Sequence, residues 1–502
     1  MNRKNKVVLV ICDGMGYSPK GEFNAIRSAR TPNLDKFYKE YPHMLLQAGG
    51  EAIGLPMGQM GTSEANHLIL GSGRIIYQNL LKINRSIREG EFQKNKSLLE
   101  AVDHAKSNNS NFHIIGLLGP GGVHAHTNHL KAIAQTAKKH GVDKIVFHLF
   151  TDGRDTLPKS ALGFMNEFRD FVDDNELGII ATVGGRYWGM DRDNNHDRIE
   201  KAFAAIRYGQ GVMYEDPVKA IADSYDNDIT DEFITPVTIG TGDNPTVISE
   251  NDAVVFANFR ADRANELTRR ILKEAIPNLH FVAMTKYADD IEVPVIFPPE
   301  KIENTLSEVI SGKGIRQLRI TETEKFTHLT FFFNAQRNEP DPGEERIMIP
   351  SNKDVATHDK KPEMKAMDIA SGIKQAIEKD EVGFIAANIV NCDIVGHTGV
   401  YDAIVSAVET VDEALGIIVQ TAKDNGWDVL ITADHGNAEE KFDEFTNQIT
   451  TSHTTNPVPL ILIASGFDKL NKEEGGLSDV APTVLKLMNI DIPAEMTGNS
   501  LV

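Results

Sequence analysis

The chain has 502 residues, 41% of them hydrophobic and 25% charged, with a formal charge of −20 at pH 7. That length holds two or three domains, and the composition is that of an ordinary soluble globular chain. The negative field excludes nucleic acid and anionic membrane surfaces as bulk partners, and no apolar run reaches the roughly 18 residues of a membrane span. The N-terminus, MNRKNKVVLVICDG, has a short basic start and a brief apolar run with no small-residue cleavage site. It reads as a first strand and not as a signal peptide. Two cysteines in the whole chain exclude a disulfide framework and fit a reducing cytoplasm.

Short β-rich apolar runs alternate with helical patterns, which predicts an α/β fold. The runs are 6–14, 111–122, 144–155, 177–186, 252–263, 280–287, 328–335, 382–393, 427–436 and 458–464. Most end in Asp, His, Arg or Gly, and in an open parallel sheet ligand sites gather at the carboxyl ends of strands. Pro- and Gly-rich seams near 74–82 and 294–314 divide the pattern. They predict an inserted domain over 78–300, with 1–77 and 301–502 assembling into one discontinuous domain.

In chain order, the first chemical signal is Asp13, just after the first run. Next, Ser63 lies between a Gly-rich loop and a helical pattern. There it is either a nucleophile or a helix N-cap, and the segment alone favours the cap. In GGVHAHTNHL, His124, His126 and His129 have the spacing of a metal site, but the preceding glycines and the lack of an acid read as a loop entering a helix. Arg154, Arg186, Arg192, Arg260 and Arg263 follow apolar runs. They form either an anion clamp or ordinary surface ion pairs. Lys325, in TETEKFTH, can reach a phosphoryl oxygen as a point charge.

Asp393 and His397, Asp434 and His435, and His453 complete a set of carboxylates and imidazoles suited to Mn²⁺, Zn²⁺ or Fe²⁺. Asp393 and His397 share a face if their turn is helical. On extended backbone the adjacent Asp434 and His435 point in opposite directions, which suits two neighbouring ions. Cys12 and Cys392 each precede a candidate ligand, so strand alternation turns them into the core.

Eleven motifs then fall in one order: CDGMGY, GLPMGQMGTSE, GGVHAH, TDGRD, GGRYWGMDRD, TDEF, NFRADR, ITETEKFTH, VGHTG, TADHGN and HTTNP. With them the chain resembles, end to end, the cofactor-independent phosphoglycerate mutases of the alkaline phosphatase superfamily. The resemblance implies an alkaline-phosphatase-like discontinuous domain with an inserted α/β substrate-binding domain. It implies two divalent ions, Mn²⁺ first and Co²⁺, Zn²⁺ or Mg²⁺ as alternatives. One ion would be held by Asp393, His397 and His453, the other by Asp13, Ser63, Asp434 and His435. Ser63 would become phosphoserine, without 2,3-bisphosphoglycerate. His124, Arg154, Asp155, Arg186, Arg192, Arg260, Arg263 and Lys325 would bind 3-phosphoglycerate or 2-phosphoglycerate. Asp155 and His124 would move protons, and Lys325 would assist transfer. A cytoplasmic monomer acting in glycolysis is expected. The alternatives are a metal-dependent phosphohydrolase, a phosphopentomutase, or an inactive binding module. Thr62, Ala65, Asn66, Ala125 and Asn128 stand where the family usually has other residues.

Overall fold

The computed structural model describes residues 6–241, 245–444 and 447–502; the basic start, 1–5, lies outside them. The chain forms two compact units, Met1–Gln78 with Lys301–Val502, and Asn79–Glu300. No helix among the described residues is long and apolar enough to cross a membrane.

The first unit is built on an eight-stranded sheet. In spatial order its strands are Glu344–Ile349, Gln317–Glu322, Phe384–Ile389, Val7–Cys12, Asp428–Thr432, Val458–Ile463, His43–Gln47 and Gly475–Gly476. The first five are mutually parallel, and Val458–Ile463 runs antiparallel to both its neighbours. VVLVIC at 7–12 is buried along its whole length, as a strand flanked on both edges and both faces must be. Consequently the ends of four adjacent parallel strands, at Glu322, Ile389, Cys12 and Thr432, lie side by side.

The second unit repeats this logic. Its strands run, in spatial order, Val295–Phe297, His280–Thr285, Ala253–Phe256, Phe112–Leu118, Ile145–Thr151, Ile179–Gly185, Val237–Ile239 and Met213–Tyr214. The first six are mutually parallel.

One run departs from its expected form. HLTFFFNA is strand-like in its aromatic residues, yet His328–Phe332 is a wide helical turn. Leu329 and Phe333, four apart, are both buried, so tertiary packing overrides β-propensity here. The helix Ser63–Ser72 presses against this turn through Gly71, where a Cβ would overlap the Phe333 carbonyl oxygen. The contact fixes the segment carrying Lys325 against the helix carrying Ser63.

Glu322, which ends its strand three residues before Lys325, is fully buried. Its Oε2 accepts from the Ser351 hydroxyl at 2.9 Å, while Oε1 has no hydrogen-bond partner among the described residues. Burial pushes its pKa up to about 7. In the unfolded chain the carboxyl ionises near its ordinary value, whereas in the folded chain it keeps its proton to about 7. Stability is therefore lost as pH rises across that window, and the loss is complete above it. Glu322→Gln, always neutral, should stabilise the protein at pH 8 by on the order of 1–3 kcal/mol and by little near pH 4.5. Denaturant melts at the two pH values check this.

Candidate active site

In the first unit the sheet assembles the centre from strand ends. Asp13 follows Val7–Cys12, Asp393 follows Phe384–Ile389, Asp434 and His435 follow Asp428–Thr432, and Lys325 follows Gln317–Glu322. Ser63 comes from the first turn of its helix. It is not the N-cap: Thr62 is, its hydroxyl accepting from the Ala65 N–H at 3.3 Å. The Ser63 side chain is thus free for other contacts. The Lys325 ammonium donates to Ser63 Oγ at 2.6 Å, and Ser63 Oγ lies 2.8 Å from His435 Nε2.

Lys325 also donates to Asp13 Oδ1 and Asp393 Oδ2, both at 2.7 Å. Burial works against its charge, but Asp13, Asp393 and Asp434 outweigh burial and hold its pKa above the ordinary lysine value. Asp393 is buried, yet Lys325, His397 and His453 keep its pKa well below the usual carboxylate range. Asp434 is likewise held low against burial, by His435, His67 and Lys325. Burial first, then the Asp434 charge, push Asp13 upward.

The imidazoles have a common orientation. His397 Nδ1 faces the Thr451 carbonyl at 2.7 Å, His453 Nδ1 the Gly61 carbonyl at 2.8 Å, and His435 Nδ1 the Gly436 carbonyl at 3.3 Å. Each carbonyl anchors Nδ1 and so aims Nε2 at the carboxylates. His397 Nε2 is 3.1 Å and His453 Nε2 3.2 Å from Asp393 Oδ1. His435 Nε2 is 3.2 Å from Asp434 Oδ2 and 3.7 Å from Asp13 Oδ1. Burial lowers the His435 pKa to about 4, so the ring is neutral at pH 7. The expected divergence of Asp434 and His435 is not found. Both lie beyond the last strand residue, Thr432, where period-two alternation no longer holds, and their side chains converge. The helical turn at Asn391–Ile394, continued by Gly396–Thr398, brings His397 over Asp393. Cys12 and Cys392 are buried free thiols.

Two sets of ligand atoms lie close enough together to hold an ion: Asp393, His435 and His453, and Asp13, His67 and Asp434. His67 was not expected. Its Nδ1 lies 2.8 Å from the Ser63 carbonyl and its Nε2 2.9 Å from the Asn388 amide, so both nitrogens are already engaged. Burial lowers its pKa to about 3. Its signal was the four-residue spacing from Ser63 on one helix face. Asn388, a polar residue inside the buried strand FIAANI, donates to Asp13 Oδ2 at 2.7 Å. Asn66 donates its amide to the Asp434 carbonyl at 2.7 Å.

The second unit gathers its residues in the same way. His124 follows Phe112–Leu118, Arg154 and Asp155 follow Ile145–Thr151, Arg186 follows Ile179–Gly185, and Arg260 and Arg263 follow Ala253–Phe256. Arg186 is buried and donates to Asp152 Oδ1 and Asp155 Oδ2, both at 2.6 Å, which is no surface ion pair. Arg260 and Arg192 reach opposite oxygens of Asp262, at 3.0 and 3.3 Å. His124 lies 3.8 Å from both Asp155 Oδ2 and Asp262 Oδ1. Burial, reinforced by Arg186, lowers its pKa to about 4. Asp155 is held below the carboxylate range by Arg186 against burial. Arg263 donates to the Met190 carbonyl at 2.9 Å, and Arg154 to Glu232 at 3.4 Å. Asp152 and Asp262, which carry these arginines, were not anticipated. His126 caps the helix Thr127–Lys139 and His129 pairs with Asn84 at 2.8 Å, so neither joins His124.

The sequence profile described as "BPG-independent PGAM N-terminus" matches residues 83–289. A 2,3-bisphosphoglycerate-independent phosphoglycerate mutase of Clostridium novyi is 48% identical over 99% of both chains. One of Methanococcoides burtonii is 46% identical, again over 99% of both. The Leishmania mexicana phosphoglycerate mutase, solved at low cobalt concentration, superposes with a TM-score of 0.53 at 29% identity, over 99% of this chain and 97% of that one. Identity of this order, sustained across both units, means that the chain belongs to the 2,3-bisphosphoglycerate-independent phosphoglycerate mutase family.

Proposed function

We propose that the chain interconverts 3-phosphoglycerate and 2-phosphoglycerate by passing the phosphoryl group through Ser63. The observation that carries this reading is the Ser63 hydroxyl held between Lys325 Nζ at 2.6 Å and His435 Nε2 at 2.8 Å, beside three carboxylates. The donor set fits two divalent cations. Asp13, Asp393 and Asp434 are buried together against one lysine, an arrangement that calls for further positive charge. Asp434 Oδ2 has no hydrogen-bond partner among the described residues, and the anchored imidazoles aim Nε2 at these carboxylates, His397 and His453 at Asp393 and His435 at Asp434. Asp393, His397 and His453 would hold one ion, and Asp13, Ser63, Asp434 and His435 the other. Bound there, such ions would lower the pKa of the Ser63 hydroxyl and offset charge on the phosphoryl oxygens. Carboxylate and imidazole donors support Mn²⁺, with Co²⁺, Zn²⁺ and Mg²⁺ as its competitors.

Ser63, as its alkoxide, attacks phosphorus and the bond from phosphorus to one glycerate oxygen breaks; the other glycerate oxygen then attacks the phosphoserine, the bond from phosphorus to Ser63 Oγ breaks and the alkoxide is regenerated, with Lys325 facing the charge on the phosphoryl oxygens in both transfers. Arg154, Arg186, Arg192, Arg260 and Arg263 supply forked donors for the carboxylate and phosphate of the substrate. Asp155, ionised, and His124, neutral, are two proton acceptors side by side. They take the proton from one glycerate hydroxyl and return it to the other. The two buried thiols support a cytoplasmic location.

An enolase-coupled assay tests the reading. Turnover of 3-phosphoglycerate is expected without added 2,3-bisphosphoglycerate. It should vanish on chelation and return with Mn²⁺. A strict requirement for added 2,3-bisphosphoglycerate, or full activity in a chelated enzyme shown to be metal-free, overturns it.

A further inference from the structure

Beyond the ligands, one buried carboxylate joins the loops that carry them. Glu439 is 1% exposed. Its Oε2 accepts the backbone N–H of Gly16 at 3.2 Å and of Asn437 at 2.8 Å. Its Oε1 accepts the Thr454 hydroxyl and, at 3.0 Å, the Asn456 side-chain amide. Gly16 belongs to the loop of Asp13, Asn437 to that of Asp434 and His435, and Thr454 and Asn456 to that of His453. Four donors on three loops thus converge on one carboxylate. A Cβ on Gly16 or on Gly436 would run into it, so both glycines make room for the anion.

The fourth ligand loop is tied in next door. Asn437, whose N–H Glu439 holds, donates its side-chain amide to Asp393 Oδ1 at 3.0 Å. The buried Lys441 ammonium donates to Asn437 Oδ1 and, at 3.2 Å, to the Gly396 carbonyl beside His397. A buried carboxylate needs such compensation, and one that accepts four hydrogen bonds holds its donors in fixed positions. Glu439 itself is in neither set of candidate ligand atoms.

We propose that Glu439 is the positioning residue of the metal centre. Its carboxylate sets the spacing of the loops bearing Asp13, Asp434, His435 and His453, and through Asn437 the direction of Asp393, without touching ion or substrate. The proposal rests on the two-ion reading above. Outer partners of this kind set how well ligands converge, and their loss typically costs about 10–100-fold in metal affinity.

The test compares wild type, Glu439→Gln and Thr454→Val, measuring Mn²⁺ affinity by chelator competition, melting of the metal-free protein, and kcat at saturating Mn²⁺. Glu439→Gln keeps the shape but turns one acceptor into a donor. Thr454→Val removes the hydroxyl's bond to Glu439, together with the 3.3 Å bond it accepts from the Asn456 N–H, and leaves the backbone bridge from Thr454 to Gly436 in place. Mn²⁺ affinity should fall about 10–100-fold in Glu439→Gln. A smaller fall in the same direction is expected in Thr454→Val. In both, kcat at saturating Mn²⁺ should fall by much less than the affinity. If both variants bind Mn²⁺ as tightly as wild type while melting earlier, Glu439 is structural only and the proposal is wrong. Should Glu439→Gln not fold, Thr454→Val decides alone, and unchanged affinity there overturns the proposal. Wild type that binds no Mn²⁺ refutes the two-ion reading itself, a result distinct from wild type that binds and variants that match it.

Discussion

Ser63→Ala should lose at least three orders of magnitude in coupled turnover while the protein folds and keeps its metal centre. The loss is chemical. The Ser63 hydroxyl is set between Lys325 and His435, and removing a covalent nucleophile typically costs several orders of magnitude in rate. The rival explanation, that Ser63 caps its helix, is closed off by geometry, because Thr62 supplies the cap. Alanine at the first helical position costs little helix stability, being the best helix former. The matched control is Thr62→Ala. It should lose about 1 kcal/mol of stability through the lost cap and keep the nucleophile. Thr62 cannot replace Ser63, since its hydroxyl is turned to the Ala65 N–H. Asp13, Asp434 and His435 remain in Ser63→Ala, so Mn²⁺ should still bind, though more weakly. A folded, metal-replete Ser63→Ala protein with more than about a tenth of wild-type turnover would have lost only about 1.4 kcal/mol of transition-state stabilisation. The phosphoserine route would then be wrong.

Strand ends made much of this centre legible before any coordinates. Asp13, Asp393 and Asp434 each end or follow a predicted apolar run, and those runs are adjacent parallel strands, so reading their ends found the three carboxylates; Gln317–Glu322, the strand before Lys325, is not among the predicted runs. The same rule located Arg154, Arg186 and Arg260 in the second unit, while His124 and Asp155 came from the resemblance. Where the rule has no purchase, the reading failed. Alternation governs a strand and not the turn after it, which is why Asp434 and His435 converge instead of diverging. The aromatic run at 328–335 has β-propensity, yet the burial of Leu329 and Phe333 four residues apart makes it helical. Partners that act through carbonyls and N–H groups leave little trace in a sequence. Glu439 in NAEEK looks like surface charge, and only the fold shows four donors meeting there. Asn388 was visible in principle, as a lone amide in an otherwise apolar strand.

Lys325→Met should separate charge at the reacting group from charge that merely balances the carboxylates. Its ammonium lies 2.6 Å from Ser63 Oγ and 2.7 Å from both Asp13 Oδ1 and Asp393 Oδ2, so it serves both ends. In the metal-free protein its removal leaves three buried carboxylates uncompensated. Breaking a buried pair in this way costs about 3–5 kcal/mol, and the metal-free variant should melt correspondingly early. Metal affinity should move the other way. A positive charge beside a cation site opposes binding by about 4 kcal/mol at 4 Å and an effective dielectric constant near 20, so even partial relief tightens Mn²⁺ binding at least about tenfold. If Lys325 were only a counter-ion, Mn²⁺ would replace its charge and the loaded variant would turn over normally. If instead it faces the phosphoryl oxygens during transfer, saturating Mn²⁺ restores the melting temperature and leaves kcat down by about 10²–10³, the usual cost of one well-placed donor. Melting, Mn²⁺ affinity and kcat measured on one preparation read all three effects. Tighter Mn²⁺ binding with a collapsed kcat identifies Lys325 as part of the transfer machinery, whereas a metal-loaded Lys325→Met enzyme within tenfold of wild type reduces it to charge balance.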